Sequence, residues 1–302
     1  MKLLHALTIP RRQLALYVML IAPVAVLFVY AYLPMFGVVM SFQRFEPSLG
    51  FFRSDWVGFA NFRRLAYIPD VKQVVLNTLF IASMKIVVET LAAIVVAVLL
   101  NEIVSKLFRR VVQTIIYFPY FLSWVILGGI LRDLLSREGL INMLLGKLGF
   151  EPVVFLSKAS LFPYVLVGTE TWQVTGFGTI VFLAAITTID PTLYEAAVMD
   201  GASRFKQILH ITIPGIKSTI ILMMTLSMGY ILNAGFEQVL MLYSPLVYST
   251  GDVIDTWVYR MGLQQSQYSL ASAIGLFRSV VSLALISVSY YVARKVSDHR
   301  IF

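Results

Sequence analysis

The chain has 302 residues, 59% of them hydrophobic and 13% charged, with a formal net charge of +8 and a mean hydropathy of +0.82. A water-soluble domain of this length cannot hide that much apolar surface in one core, so that class is excluded. There are no cysteines, which rules out disulfides and thiolate metal sites. The basic residues lie in short clusters between apolar runs, a placement that fits lipid headgroups and not nucleic acid.

Apolar runs follow one another at about Leu14–Ser41, Val74–Leu100, Val111–Leu131, Leu161–Ile186, Ser218–Leu242 and Leu270–Ala293. Each is long enough to cross about 30 Å of hydrocarbon as a helix. None shows the alternation of a membrane barrel, so the expected class is an all-α polytopic membrane protein with about six transmembrane helices. The first run is too long for the apolar part of a signal peptide and reads as a retained span, kinked at Pro23 and Pro34. The whole chain, 1–302, reads as one transmembrane domain, with a first span at about 14–41 and core spans at about 74–293.

Six spans put both termini on one side, and counting gives about 12 basic residues there against about 10 opposite. This favours cytoplasmic termini by the positive-inside rule. His5, His210 and His299 all fall outside the runs, so no proton relay through intramembrane histidine is built in. H-E-x-x-H and G-x-S-x-G motifs are absent, which argues against a membrane-embedded enzyme.

The segment between the fourth and fifth runs carries the most local information. Asp190 can cap a helix whose first position suits Pro191. Leu193, Ala196 and Ala197 then share one face. Gly201 stops this helix, and Phe205, Ile208 and Leu209 begin a second apolar stripe before Pro214. The pattern predicts a short helix, a glycine turn and a second short helix. The small Ala196-Ala197 pair permits close approach by another surface, while Glu195 and Asp200 can accept hydrogen bonds from it.

The spacing Glu195-Ala-Ala-x3-Gly201-x9-Ile211-x-Ile213-Pro214 resembles the EAA motif of permease subunits of type I binding-protein-dependent ABC importers, with Ile213 where that family usually has Leu. Further segments are similar to the branch typified by LplB and YteP, which handles oligosaccharides. They are Asn101-Glu102, Tyr117–Val125, Gly139–Asn142, Asn233–Gln238, Asp252–Asp255 and Gly275–Phe277.

The resemblance implies a multi-pass permease of the cell (plasma or inner) membrane that imports oligosaccharides and is not itself an enzyme. It implies a cytoplasmic coupling helix within 190–214, where Glu195, Ala196, Ala197, Asp200, Gly201 and Pro214 engage an ATPase. The implied partners are a second homologous permease in a heterodimer, two ABC ATPase subunits and an extracytoplasmic solute-binding protein. ATP and Mg would be bound by the partner ATPase and no cofactor by this chain, which has no G-x4-G-K-[ST] phosphate loop. Alternatives are a permease for a polyol or glycerol phosphate, or a secondary carrier.

Charges within a bilayer cost roughly 2.5–3.5 kcal/mol on insertion scales. Lys85 and Glu89, four apart, can face each other and neutralise against neighbouring helices, or contact substrate, and Arg278 either pairs with an acid or lines a cavity. Sugars need aromatic faces plus hydroxyl-matching polar groups. The fourth run offers Glu170, Trp172, Gln173 and Phe177; the fifth offers Ser227, Tyr230, Asn233, Phe236 and Glu237. In the similar maltose permease, cavity residues lie on the two matching helices. That supports Glu170, Gln173, Phe177, Ser227, Asn233 and Phe236 as candidates for the substrate path.

Overall fold

In hydrocarbon an apolar run must close its own backbone hydrogen bonds, and at the breaks in the third and fifth runs side chains supply partners. A computed structural model describes residues 11–229 and 231–296. Lys2, His5, Tyr230, His299 and Arg300 lie outside these described residues. Three helices are long and apolar enough to cross a membrane alone, Leu16–Phe42, Pro69–Glu102 and Tyr268–Tyr291, and three bent pairs raise the number to as many as six. Among the described residues the one sheet is minimal: Gln43–Arg44 pairs antiparallel with Asp55–Trp56.

The first span is α-helical through Leu27, π-helical over Phe28–Tyr32 and 3₁₀-helical over Leu33–Phe42. The disturbance expected at Pro34 is thus a change of winding around a residue that cannot donate. This span touches the sixth helix (Tyr268–Val296) through Ser41, whose hydroxyl lies 2.9 Å from that of Ser272.

The second helix (Pro69–Glu102) and the fourth (Phe162–Ile186) pack along each other and form the centre of the fold. Toward one end Ile81 and Ala82 meet Phe162 and Leu166 in a cluster with Trp124 and Leu127. Toward the other, Ala93, Ala97 and Val98 pack on Phe182, Ile186 and Ile216.

Two expected runs are not continuous helices. The run at Val111–Leu131 divides into Lys106–Phe121 and Trp124–Leu134, bent by 106°. Pro119 lies in a 3₁₀ turn, Leu122 is extended, and the Ser123 hydroxyl caps the second part by accepting from the Ile126 N–H at 3.4 Å. The run at Ser218–Leu242 is helical only from Lys217 to Met228. Helix resumes at Phe236–Leu242. In the break Asn233 Oδ1 accepts from the Gly235 N–H at 3.3 Å, and Gly235 has φ +86°, a conformation that costs residues with a Cβ. Hydrophobicity marked both segments as apolar but not where the backbone turns.

Candidate functional site: a cavity at the broken fifth span and the loop below it

The break in the fifth span is held by charge. Lys85, buried on the second helix, donates to Glu170 Oε2 at 2.7 Å, the Ala234 carbonyl at 2.7 Å and Gln238 Oε1 at 2.5 Å. Gln238, also buried, donates onward to the Leu166 carbonyl at 2.7 Å and Thr169 Oγ1 at 2.8 Å. An ammonium has three donors, and all three are used. Gly235 sits over the pair: a Cβ there would fall 2.8 Å from Lys85 Nζ and 3.0 Å from Glu170 Oε2. The expected neutralisation between Lys85 and Glu89 is therefore corrected. Lys85 pairs across helices with Glu170, because the carbonyl left open by the break and Gln238 converge on the same point.

Beside this network lies a cavity of about 260 Å³ lined by Ala82, Lys85, Ile86, Glu89, Glu170, Ser227, Asn233 and Gly235. Three of the sequence-derived candidates, Glu170, Ser227 and Asn233, meet here. Asn233 also lines a larger, mainly apolar cavity of about 1260 Å³ with Phe236, Pro34, Met35 and Arg278. Phe236 lies against Tyr259, with centroids 5.7 Å apart. Arg278 lines that space and pairs with Asp255, so both roles weighed for it hold.

Gln173 and Phe177 are placed elsewhere, toward the third span. Gln173 is buried and donates to the Leu122 carbonyl at 2.9 Å, where that span breaks. Phe177 stacks on Tyr120 with centroids 5.0 Å apart and planes 11° from parallel. Gly235 and Gln238 went unread as functional positions. The signal was an Asn two residues before a Gly inside an apolar run, the mark of an Asx turn.

The loop below the fourth helix folds as its sequence predicts. Asp190 Oδ1 accepts from the Thr192 N–H at 2.9 Å and caps the helix Pro191–Met199. That hydrogen bond holds the Asp190 carboxyl below its ordinary range. Gly201 closes the helix at φ +73°. The Ala202 N–H bonds the Ala197 carbonyl at 2.9 Å and the Gly201 N–H that of Val198 at 3.0 Å, the pattern of a Schellman ending.

The second helix of the loop starts at Arg204, continues to Gly215 and meets Lys217–Met228 at 58°. Pro214 is in its last turn and exposed. Tyr194 Oη and Thr212 Oγ1, 2.9 Å apart, join the two arms, and buried Gln207 donates to the Ala202 carbonyl at 3.0 Å. Arg204 reaches Glu102, 3.7 Å away at the end of the second helix. Glu195, Ala196 and Asp200 are exposed and Ala197 is half-buried, beside exposed Leu193, Val198, Met199 and Phe205. The first helix of the loop is tied at both ends while these apolar side chains face outward.

Residues 89–301 match the family model described as binding-protein-dependent transport system inner membrane component. The chain is similar to Protein LplB of Bacillus subtilis (strain 168), 42% identical over 97% of this chain and 92% of that one. It is also similar to the polygalacturonan/rhamnogalacturonan transport system permease protein YteP of the same organism, 38% identical over 96% and 91%. Among solved structures it resembles a bacterial ABC transporter involved in import of the acidic polysaccharide alginate, with TM-score 0.87 and 36% identity over 95% of this chain and 97% of that one. The alginate transporter in complex with its alginate pentasaccharide-bound periplasmic protein gives TM-score 0.86 and 35% identity, over 95% and 96%. The chain thus belongs to the binding-protein-dependent transport system inner membrane components, as a non-catalytic permease subunit of an ABC importer.

Proposed function

We propose that this permease passes oligosaccharides into the cytoplasm, with both termini on the cytoplasmic side. The observation that carries the reading is the polar cavity where the fifth span breaks. Glu170, Ser227 and Asn233 there offer the acceptors and donors that sugar hydroxyls require. The names of YteP and of the alginate transporter, both handling polysaccharides or their fragments, support the same substrate class.

In this reading a second, similar permease completes the pathway and a solute-binding protein delivers the sugar to the outer face. Two ATPase subunits hold ATP and Mg, and each permease loop seats in one of them. For this chain the seat is the exposed face carrying Glu195, Ala196, Ala197 and Asp200, kept in shape by Gly201 and joined to the fifth span at Pro214. Movement of the ATPases then tilts the loop and shifts the pathway between inward- and outward-facing states.

ATP hydrolysis by the purified complex in lipid, with its binding protein and a panel of oligosaccharides, tests this. Stimulation by one sugar class is the expected result. An associated ATPase that no sugar stimulates would overturn the substrate class and favour a polyol or glycerol phosphate. Absence of any associated ATPase would overturn the role given to the loop.

A further inference from the structure

Glu89 is the one carboxyl in the small cavity that the charge network leaves out. It is half-buried one turn beyond Lys85 and lines the cavity with Ser227 and Asn233. Among the described residues its carboxyl takes part in no hydrogen bond or ion pair, whereas Glu170 is held by Lys85 at 2.7 Å. The Ser227 hydroxyl likewise makes no hydrogen bond among the described residues, and the Asn233 side chain uses only its carbonyl oxygen, toward Gly235. The free groups facing this space are therefore a carboxyl, a hydroxyl and an amide NH₂. Lys85 has no donor left to offer, since its three are spent on Glu170, Ala234 and Gln238. In the adjoining larger cavity the lining cation, Arg278, carries its own partner, Asp255.

We propose that Glu89 is a specificity-determining residue of the substrate path, accepting hydrogen bonds from sugar hydroxyls and disfavouring a uronate at that position. The inference rests on the oligosaccharide reading and names the kind of sugar this lining prefers. A hydroxyl both donates and accepts, so it satisfies Glu89 while receiving from Asn233 or Ser227. A uronate carboxylate only accepts. Set against Glu89 it would leave two carboxylates facing each other, with the donors of Lys85 all used and Arg278 already paired with Asp255. The lining thus favours uncharged oligosaccharides, a preference opposite to the acidic polysaccharide that the similar alginate transporter imports.

The test is uptake into proteoliposomes by the full complex with its wild-type binding protein, using neutral and uronate oligosaccharides of equal length. Because the binding protein is held constant, a change in the ratio of the two KM values reports the permease. Glu89→Gln is expected to raise KM for the neutral sugar by about tenfold, the scale of a lost charge-assisted hydrogen bond, and to cut the neutral-over-uronate preference by at least as much. Glu89→Asp keeps the charge at shorter reach, so its neutral KM rises while the bias against uronates stays. An unchanged KM ratio in Glu89→Gln overturns the proposal. If that variant does not assemble, a wild-type neutral KM in Glu89→Asp overturns it instead. A wild-type complex that transports neither kind of oligosaccharide defeats the substrate class itself, and this inference falls with it.

Discussion

The centre of the fold and the loop below it solve opposite problems. Around Lys85 the chain buries charge and satisfies every donor, so that Lys85, Glu170, Gln238 and the Ala234 carbonyl close on one another. In the loop the first helix is closed at both ends, by Asp190 at one and Gly201 at the other. There, however, Leu193, Val198 and Met199 face outward. A closed polar network fixes geometry and a rigid helix with an open apolar face invites a partner. The contrast teaches which substitutions are expected to harm folding and which to harm communication.

The largest effect is expected at the network. Lys85→Met leaves Glu170 and Gln238 without their shared donor in a buried place, and breaking a buried ion pair typically costs about 3–5 kcal/mol. The expected outcome is a sharp fall in Tm and in the yield of assembled complex. Lys85→Met with Glu170→Met should recover much of it, because no charge is then stranded. Equal loss in single and double variants would show that the pair does not hold the break.

Gly235→Ala comes next. At φ +86° the backbone penalty alone is about 1–2 kcal/mol. The new Cβ also presses on a lysine that cannot swing away without giving up its bonds. A lower Tm together with weaker uptake is expected; wild-type values for both would mean that the cavity wall yields.

What the sequence made legible follows the range of the interactions. The loop was readable because caps, helix stops and apolar stripes are local, and Asp190, Pro191 and Gly201 each act within a few residues. That the chain is built of several apolar helices was readable from hydrophobicity. The breaks at Leu122–Ser123 and 231–235 were not, because an apolar run carries the same hydropathy whether it continues or turns. The repairs are distant: Gln173 serves Leu122, and Lys85 serves Ala234. The same distance misled the reading of Lys85. Spacing on one helix offered Glu89 as its partner, and the partner arrived from another helix. Glu170, Ser227 and Asn233 were legible as polar groups out of place in apolar runs, while the aromatic Phe177 was committed to packing on Tyr120.

The loop predictions are smaller and separate coupling from stability. Gly201 has φ +73° with nothing within 4 Å of an added Cβ, so the requirement there is for backbone freedom and not for space. Gly201→Val should cost about 1–2 kcal/mol locally and uncouple ATP hydrolysis from uptake. Gly201→Asn, which tolerates the left-handed region, should retain most coupling. Equal transport by all three proteins would remove the turn from the mechanism.

Asp190 gives the smallest effect and the finest test of the contrast. Its carboxyl is held below the ordinary range chiefly by the Thr192 backbone N–H. A group whose folded pKa is depressed contributes stability that is complete above its unfolded value, near pH 3.9 for aspartate, and is lost as pH falls through the folded value. The cap should therefore be intact at neutral pH and fail only in acid. Asp190→Ala should speed amide hydrogen exchange in Pro191–Met199 at neutral pH and leave the amides of the second and fourth helices unchanged. Faster exchange in those two helices would mean that the loop and the centre unfold together, and the division between a self-contained centre and a partner-seeking loop would not hold.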